Sequence, residues 1–194
     1  MAHDSQGLRV YYSEVGNPEA LVDGASRQAA EGKYRQVLRD IVVVITPIAF
    51  PFPAVVADLE ALDVMLAEKR DMFTEALQRL AGMVQYELTA TWEDDDRRDL
   101  AKPVSGREYL QRREESQARI AAIDAKLKTV TAGIVRGWRD QQDRRKHRWY
   151  ALLRSADRDS FLAALRSAGP SQGVRLRLSG PWPPGEFMAA SAAS

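Results

Sequence analysis

The chain has 194 residues, enough to bury a sizeable core without a disulfide or a metal to staple it. It contains no cysteine, which excludes disulfides, thiolate metal sites and a cysteine nucleophile, and which fits a reducing cytoplasm. Its 28 basic and 27 acidic residues leave a net charge of +1, so capture of nucleic acid or a membrane by overall charge is not expected.

Apolar periodicity near the N-terminus predicts a strand, a helix and a second strand. The first strand covers Leu8 to Val15, and a weak helix covers Glu19 to Arg39 after a turn. The stretch IVVVIT, from Ile41 to Thr46, begins with consecutive β-branched aliphatic residues. Such a run is typical of a central strand that is buried on both faces.

The longest uncharged run, residues 41–57, does not predict a membrane span. It is shorter than the about 20 residues that a spanning helix needs, and Pro47, Pro51 and Pro53 interrupt it. The opening MAHDSQGLRV also lacks the basic and apolar segments of a secretory signal. We therefore expect a soluble, cytoplasmic chain in which Pro53 opens the next helix.

A helix and a strand are predicted next. Apolar residues between Val55 and Leu80 recur mostly every three or four positions, and Gly82 is the expected stop. The stretch MVQYELTATW, from Met83 to Trp92, alternates between apolar and polar residues, as a half-buried strand does. The residues expected to face inward are Val84, Tyr86, Leu88, Ala90 and Trp92.

The middle of the chain predicts a linker and a long helix. Residues 93–104 are charged and aperiodic, so we predict a linker between an N-terminal domain, 1–92, and a C-terminal domain, 105–188, with a frayed tail at 189–194. A helix is predicted from Ser105 to Arg144, long enough to project or to pair with another helix. Its narrow coiled-coil-type seam comprises Ile120, Ile123, Leu127, Val130, Ile134 and Trp138.

The last third predicts a strand, a helix and a strand. The first strand covers Arg148 to Ser155, and the helix covers Asp157 to Gly169 with Asp157 as its N-cap. The final strand, 173–179, is expected to turn Val174, Leu176 and Leu178 inward. The whole pattern predicts an α+β fold with helices on one face of the sheets.

The Pro–Trp segment, SGPWPPGEF from Ser179 to Phe187, places one tryptophan among three prolines. Because each proline fixes its own φ, lacks an N–H and extends the residue before it, we predict a stiff, polyproline-like arm that cannot continue a sheet ladder. Three interpretations stay open. Trp182 caps the core of this chain, Trp182 faces a partner, or Pro181 to Pro184 is a free PxxP ligand for an SH3-like module.

Three stretches resemble one family in the right order. LRLSGPWPPGEF, residues 176–187, resembles the C-terminal signature of the gas vesicle GvpF/GvpL family, in which a strand runs into Gly-Pro-Trp-Pro-Pro. SGREYLQRREE, residues 105–115, resembles the Gly-x-x-Tyr-Leu-x-x-Arg opening of that family's long helix. IVVVITPIAFPF, residues 41–52, resembles a strand that ends in the family's Leu-Pro-x-Arg-Phe-Gly turn. The resemblance covers roughly Lys33 to Phe187.

The sequence also departs from this family. Ala49 replaces its arginine and Pro51 its glycine, while Gly185 and Glu186 replace an aromatic residue and a serine. The family's opening strand, with its Tyr-Gly, has no counterpart here. The chain therefore resembles a short, diverged member, and a role that belongs to the family's arginine does not carry over.

The resemblance implies a truncated, ferredoxin-like N-terminal part and a C-terminal α+β part with a long coiled-coil-like helix. It also implies a cytoplasmic, non-enzymatic accessory protein of gas vesicle assembly, without a cofactor, that binds the hydrophobic shell protein or other gas vesicle proteins. An unpaired sheet edge left by the missing strand would allow a homodimer. The residues that the matching motifs mark for partner binding are Pro47, Phe50, Gly106, Tyr109, Leu110, Gly180, Pro181, Trp182, Pro183, Pro184 and Phe187.

Three of the candidate sites have simpler explanations. His3 and His147 are the only histidines and lie far apart in sequence, His3 in an end that we expect to be mobile, so a histidine-based metal or catalytic centre is not expected. The acidic run at 93–96 is followed directly by two arginines, which favours a solvated turn over a cation site. Tyr109 and Leu110 are most simply core residues.

The alternative function is a nucleic-acid-binding module that uses the basic run RRKHR, residues 144–148, with Trp138 or Trp149 as stacking groups. Asp140 and Asp143 lie close to this run, and cations are also stabilised at the C-terminus of the predicted helix. We therefore favour a structural role for the basic run, as the charged end of the predicted helix, over a role in nucleic-acid binding. An enzyme would need a set of convergent acids and bases, and the sequence does not indicate one.

Overall fold

A computed structural model describes residues 1–21, 24–92, 106–142, 146–169 and 174–189. The backbone forms two compact units, one of Met1–Met83 with Trp182–Ser194 and one of Val84–Pro181, which we call the first and second units. The fold is α+β, as predicted, with helices and strands in both units. The predicted linker 93–104 and the tail beyond residue 189 lie outside the described residues, and the predicted domain boundaries stay a prediction.

The first unit opens with a β-hairpin. Strand β1, Ala2–Ser5, pairs antiparallel with strand β2, Leu8–Tyr11. Gln6 and Gly7 connect the two strands at φ 54° and 79°, the positive values that suit the twist of a tight hairpin. Only β2 was predicted, because β1 offers little apolar alternation. His3 therefore lies within a strand rather than in a mobile end.

Three helices follow in the first unit. A single N-terminal helix was predicted in roughly the right place, whereas the second predicted helix is split in two at Lys69. The Oδ1 atom of Asp58 accepts a hydrogen bond from the Ala61 amide at 2.8 Å, so this N-cap, and not Pro53, begins the second helix. The bounds are a 3₁₀ turn at Pro18–Leu21, α1 at Gly24–Val42, α2 at Leu59–Glu68 and α3 at Arg70–Leu80.

The predicted central strand at Ile41–Thr46 is wrong. Ile41 and Val42 end α1, and the Ile41 carbonyl accepts hydrogen bonds from the amides of Val44 and Ile45 at 2.9 and 3.0 Å. We call Val43–Ile45 the exposed aliphatic segment, because these three side chains are 63%, 83% and 47% exposed. β-branched residues favour a strand only where a neighbouring strand packs against them, and neither sheet of the described chain contains this segment.

A four-stranded sheet has the order β4-β5-β3-β6. Strand β3 lies where the alternation predicted it, and Val84, Tyr86, Leu88 and Ala90 are at most 2% exposed. β4 and β5 pair antiparallel. The bounds of the strands are β3 at Met83–Trp92, β4 at Val135–Gln142, β5 at His147–Arg154 and β6 at Val174–Trp182.

The predicted helix from Ser105 to Arg144 is too long. Helix α4 covers Gly106–Val130, and Gly133 follows at φ 78°, a left-handed value that stops a helix. Ile134 therefore lies in a turn and Trp138 in β4, so the predicted seam is broken. Apolar residues continue at a spacing of three and four positions through this turn and into β4. The apolar pattern alone therefore predicted a helix that extends past its real end.

Helix α5, Arg158–Ser167, completes the second unit after a short 3₁₀ turn. It was predicted, but Asp157 makes no capping hydrogen bond through its side chain. Phe161 of this helix is fully buried, with its ring centroid 5.2 Å from that of Tyr86. Arg158 Nε donates a hydrogen bond to the Tyr86 hydroxyl at 3.2 Å. These contacts fix α5 to strand β3.

Candidate functional site

The Pro–Trp segment begins inside a strand. β6 runs to Trp182, so the prediction that the ladder stops before Gly180 is wrong. Because β6 is an edge strand, the missing N–H of Pro181 removes no interior ladder bond. The Gly180–Pro181 peptide is cis. Leu178, which was expected to face inward, is 39% exposed on this edge strand.

Gly180 is fixed by backbone geometry and by packing. Its φ is 137°, a value that side-chain-bearing residues rarely adopt. A Cβ atom at this position would lie 2.8 Å from Cδ1 of Tyr86 and 3.0 Å from the carbonyl oxygen of Gln85. Only glycine therefore lets β6 pass this close to β3.

The two prolines after Trp182 are buried rather than displayed. Pro183, Pro184 and Phe187 are all buried. The Pro183 and Pro184 carbonyls accept hydrogen bonds from the amides of Gly185 at 2.8 Å and Phe187 at 3.0 Å, which closes a 3₁₀ turn at Gly185–Phe187. A buried Pro184 cannot act as a free PxxP ligand, so that interpretation is wrong.

Two arginines of the first unit hold this end of the chain. Arg79 Nη2 donates hydrogen bonds to the carbonyl oxygens of Phe187 and Met188 at 2.9 and 2.6 Å. The Arg39 guanidinium lies 5.8 Å from the ring centroid of Trp182, a cation–π distance. Trp182 is half-buried. These contacts favour the interpretation in which Trp182 caps its own unit.

Phe50 packs against the hydrophobic core of the first unit. Its ring meets that of Phe73 edge-on at 5.7 Å, and its carbonyl accepts a hydrogen bond from the Tyr34 hydroxyl. Burial raises the pKa of Tyr34 above its ordinary value, which keeps this donor protonated. Pro47 is half-buried in the same connecting stretch. The core here consists of Leu62, Leu66 and Phe73, against which Leu8, Val10, Ile48, Phe50, Met65 and Met188 pack.

The remaining motif residues lie in the second unit. Gly106 begins α4, and Leu110, one turn later, is 57% exposed, so its expected place in the core is wrong. The side chain of Tyr109 is not among those described. The predicted residues are therefore divided between the two units. The first unit holds Pro47, Phe50, Trp182, Pro183, Pro184 and Phe187, and the second holds Gly106, Tyr109, Leu110, Gly180 and Pro181.

The feature that sequence reasoning missed is the exposed aliphatic segment. Its three side chains are contiguous in the chain, and Val44 is 83% exposed. The stretch from residue 43 to residue 58 that contains it has no helix or strand. Contiguous exposed apolar side chains mark interaction surfaces in native proteins. No signal in the sequence distinguishes this run from a buried strand, because its composition is the same in both cases.

The structure describes only part of the basic run that the alternative function would use. Residues 144–145 are outside the described residues, and His147 and Arg148 lie in β5, not at a helix C-terminus. Of the two tryptophans proposed to stack on bases, Trp149 is 1% exposed and cannot do so, whereas Trp138 is half-buried in β4. The acidic run at 93–96 also lies outside the described residues.

The described ranges offer neither a candidate metal site nor a membrane-spanning helix. Within them, no cluster of three or more acidic or histidine side chains is placed to bind a metal ion. In the same ranges, the helices are too short or too polar to cross a bilayer.

Comparison with known proteins shows the family that the motifs indicated. The family model described as gas vesicle synthesis protein GvpL/GvpF matches residues 2–189, so the match extends beyond the stretch that the motifs cover. No curated protein matches the chain.

Two solved structures share the fold. The crystal structure of the gas vesicle protein GvpF from Microcystis aeruginosa has a TM-score of 0.70 and 11% identity, covering 97% of this chain and 88% of that one. The crystal structure of GvpF from Anabaena sp. PCC7120 has a TM-score of 0.60 and 16% identity, covering 98% and 86% respectively.

Proposed function

The chain belongs to the gas vesicle synthesis protein GvpL/GvpF family, and we propose that it is a non-catalytic accessory protein that binds the hydrophobic shell protein or other gas vesicle proteins during assembly. Membership assigns it a gas vesicle role. A shell protein that self-associates through apolar faces needs a partner that covers those faces before assembly. A matching apolar surface on this chain would supply that cover.

The exposed aliphatic segment is the observation that carries this proposal. Val43, Val44 and Ile45 leave about half or more of their surfaces in water. Because full burial of one such side chain stabilises by about 1.5–3 kcal/mol, covering these partly exposed ones would contribute roughly 3–6 kcal/mol to a complex. β-branched residues also suit the addition of a strand to a partner's sheet edge.

Several finer proposals rest on the family resemblance. They are a truncated ferredoxin-like arrangement in the N-terminal part, a coiled-coil-like pairing role for α4, and domain boundaries near residues 93–104. The eleven motif residues are proposed to preserve the shape of the partner-binding scaffold, and exposed Leu110 is the one among them best placed for direct contact. We also propose a cytoplasmic protein that acts on gas vesicles, with no cofactor and with a homodimer as an allowed state.

The test is co-expression of the full chain with the shell protein encoded beside it. We expect the shell protein to stay in the supernatant and to be recovered with this chain in a pull-down. The double variant Val43→Ser/Val44→Ser should lose most of the recovered shell protein. The control Val64→Ser changes another exposed valine, 56% exposed on α2, and should recover as much as the unchanged chain. Recovery of no gas vesicle protein by the unchanged chain would contradict the proposal.

A further inference from the structure

The second unit contains a polar groove, of about 220 Å³, that the proposed function does not use. Helix α4 and strands β4 and β5 each contribute polar side chains to its walls. They are Gln117, Asp124 and Lys128 from α4, Asp140 and Gln142 from β4, and His147 and Trp149 from β5. We call it the α4–β5 groove.

Two buried side chains in this groove have unused hydrogen-bonding atoms. His147 is 5% exposed and Trp149 is 1% exposed, with ring centroids 4.2 Å apart. Within the described part of the chain, neither ring nitrogen of His147 has a hydrogen-bond partner, and Nε1 of Trp149 has none. Native proteins pair nearly all their buried polar atoms. A bound group that supplies both an acceptor and a donor would satisfy these atoms.

Among the described residues, the two carboxylates that line the groove differ in the counter-charges they meet. Lys128 Nζ lies 2.8 Å from Oδ2 of Asp124, so that carboxylate has its counter-charge. Among the described residues, His147 is the candidate cation for Asp140, and its Nε2 atom is 3.7 Å from the carboxylate, beyond hydrogen-bonding distance. Residues 143–145 lie outside the described residues. The Asp140 side chain is 68% exposed, so it is open to a cation that arrives from solvent.

We propose that the α4–β5 groove binds an arginine side chain of a protein partner. A guanidinium group has five N–H donors in one plane, which match the Asp140 carboxylate, the Gln117 and Gln142 amide oxygens and an unprotonated nitrogen of His147. The Trp149 Nε1–H needs an acceptor, which a guanidinium lacks and which a peptide carbonyl supplies. This combination favours a peptide segment over a free amine. The proposal does not depend on the exposed aliphatic segment of the first unit.

The test is a titration of the full chain with N-acetyl-arginine-N-methylamide, followed by proton–nitrogen NMR. The Trp149 indole N–H signal, assigned with Trp149→Phe, should shift in a saturable manner. The citrulline analogue, a neutral isostere, should bind about fivefold or more weakly, as loss of an exposed ion pair predicts. Asp140→Asn should weaken binding of the arginine probe by about the same factor. Asp159→Asn, an exposed acid on α5, should leave it unchanged.

Three results would overturn the proposal. The first is an indole signal that does not move at any concentration of the arginine probe. The second is equal affinity for the arginine and citrulline probes, or undiminished binding by Asp140→Asn, because the charge would then play no part. The third is binding of agmatine, which has the guanidinium but no amide carbonyl, as strong as binding of the capped arginine. That result would identify a free guanidino compound as the ligand.

Discussion

At position 180, both the backbone geometry and the neighbouring strand require glycine. We expect Gly180→Ala to lower the free energy of unfolding by about 2–3 kcal/mol, since a positive φ and a close contact with Tyr86 both oppose a Cβ atom. Urea denaturation would measure the change. Gly185→Ala is the matched control in the same segment, because a Cβ there would meet nothing within 4 Å. Equal effects of the two substitutions would show that β6 does not approach β3 in this way.

His147 makes the stability depend on pH. Burial lowers its pKa below the ordinary value of 6.5, while Asp140 and Asp124 act in the opposite direction. As the pH falls below that value, the unfolded chain binds the proton before the folded chain does, so the folded state loses stability. His147→Phe should therefore gain stability relative to the unchanged chain between about pH 7 and about pH 5. Urea denaturation at both pH values tests this, and a constant difference would contradict it.

At the scale of elements, Arg79 connects α3 to the end of the chain. Arg79→Met removes two hydrogen-bond donors to the carbonyls of Phe187 and Met188. The cost should be about 1 kcal/mol, because Arg79 itself is exposed and solvent screens its charge. Hydrogen exchange should become faster at the amides of Phe187 and Met188. Arg35→Met, which breaks only a surface pair with Glu31 on α1, should leave exchange at these two amides unchanged.

The end of α4 distinguishes the structure from the helix that the apolar spacing predicted. Gly133→Ala should destabilise the chain by about 1 kcal/mol, because Gly133 lies at φ 78° after the helix has ended. In a helix that continued to Arg144, the same substitution would stabilise by about 1 kcal/mol. The sign of the change in the free energy of unfolding, measured with urea, therefore distinguishes a helix that ends at Val130 from one that continues to Arg144.

Helices and strands whose apolar residues recur at one regular spacing were predictable from the sequence. Features that depend on residues far away in the chain were not. The alternation of β3 and the apolar spacing of α5 predicted both within a few residues. Ile41–Thr46 looks like a buried strand, but strand formation needs a neighbouring strand, which local sequence does not report. Arg79 bonds to carbonyls 108 and 109 residues away, and no local pattern indicates such a contact.

For the whole molecule, the family and the broad fold were both accessible from sequence. The Gly-Pro-Trp-Pro-Pro motif at 180–184 pointed to the GvpL/GvpF family, and the match over residues 2–189 confirms it. Several motif residues pack inside the protein and are not exposed to a partner. Gly180 permits a close approach of two strands, and Pro183, Pro184 and Phe187 are buried. The surface that we propose for a partner lies instead at Val43–Ile45, where the sequence predicted a buried strand.

Contact between the exposed aliphatic segment and another gas vesicle protein is the central proposal. A photo-crosslinking amino acid placed at Val44 in cells that assemble gas vesicles tests this contact directly. We expect a covalent adduct with the shell protein or another gas vesicle protein, and none from the same probe at Val64. An adduct from Val64 but not from Val44, or no adduct with any gas vesicle protein from either position, would contradict the account.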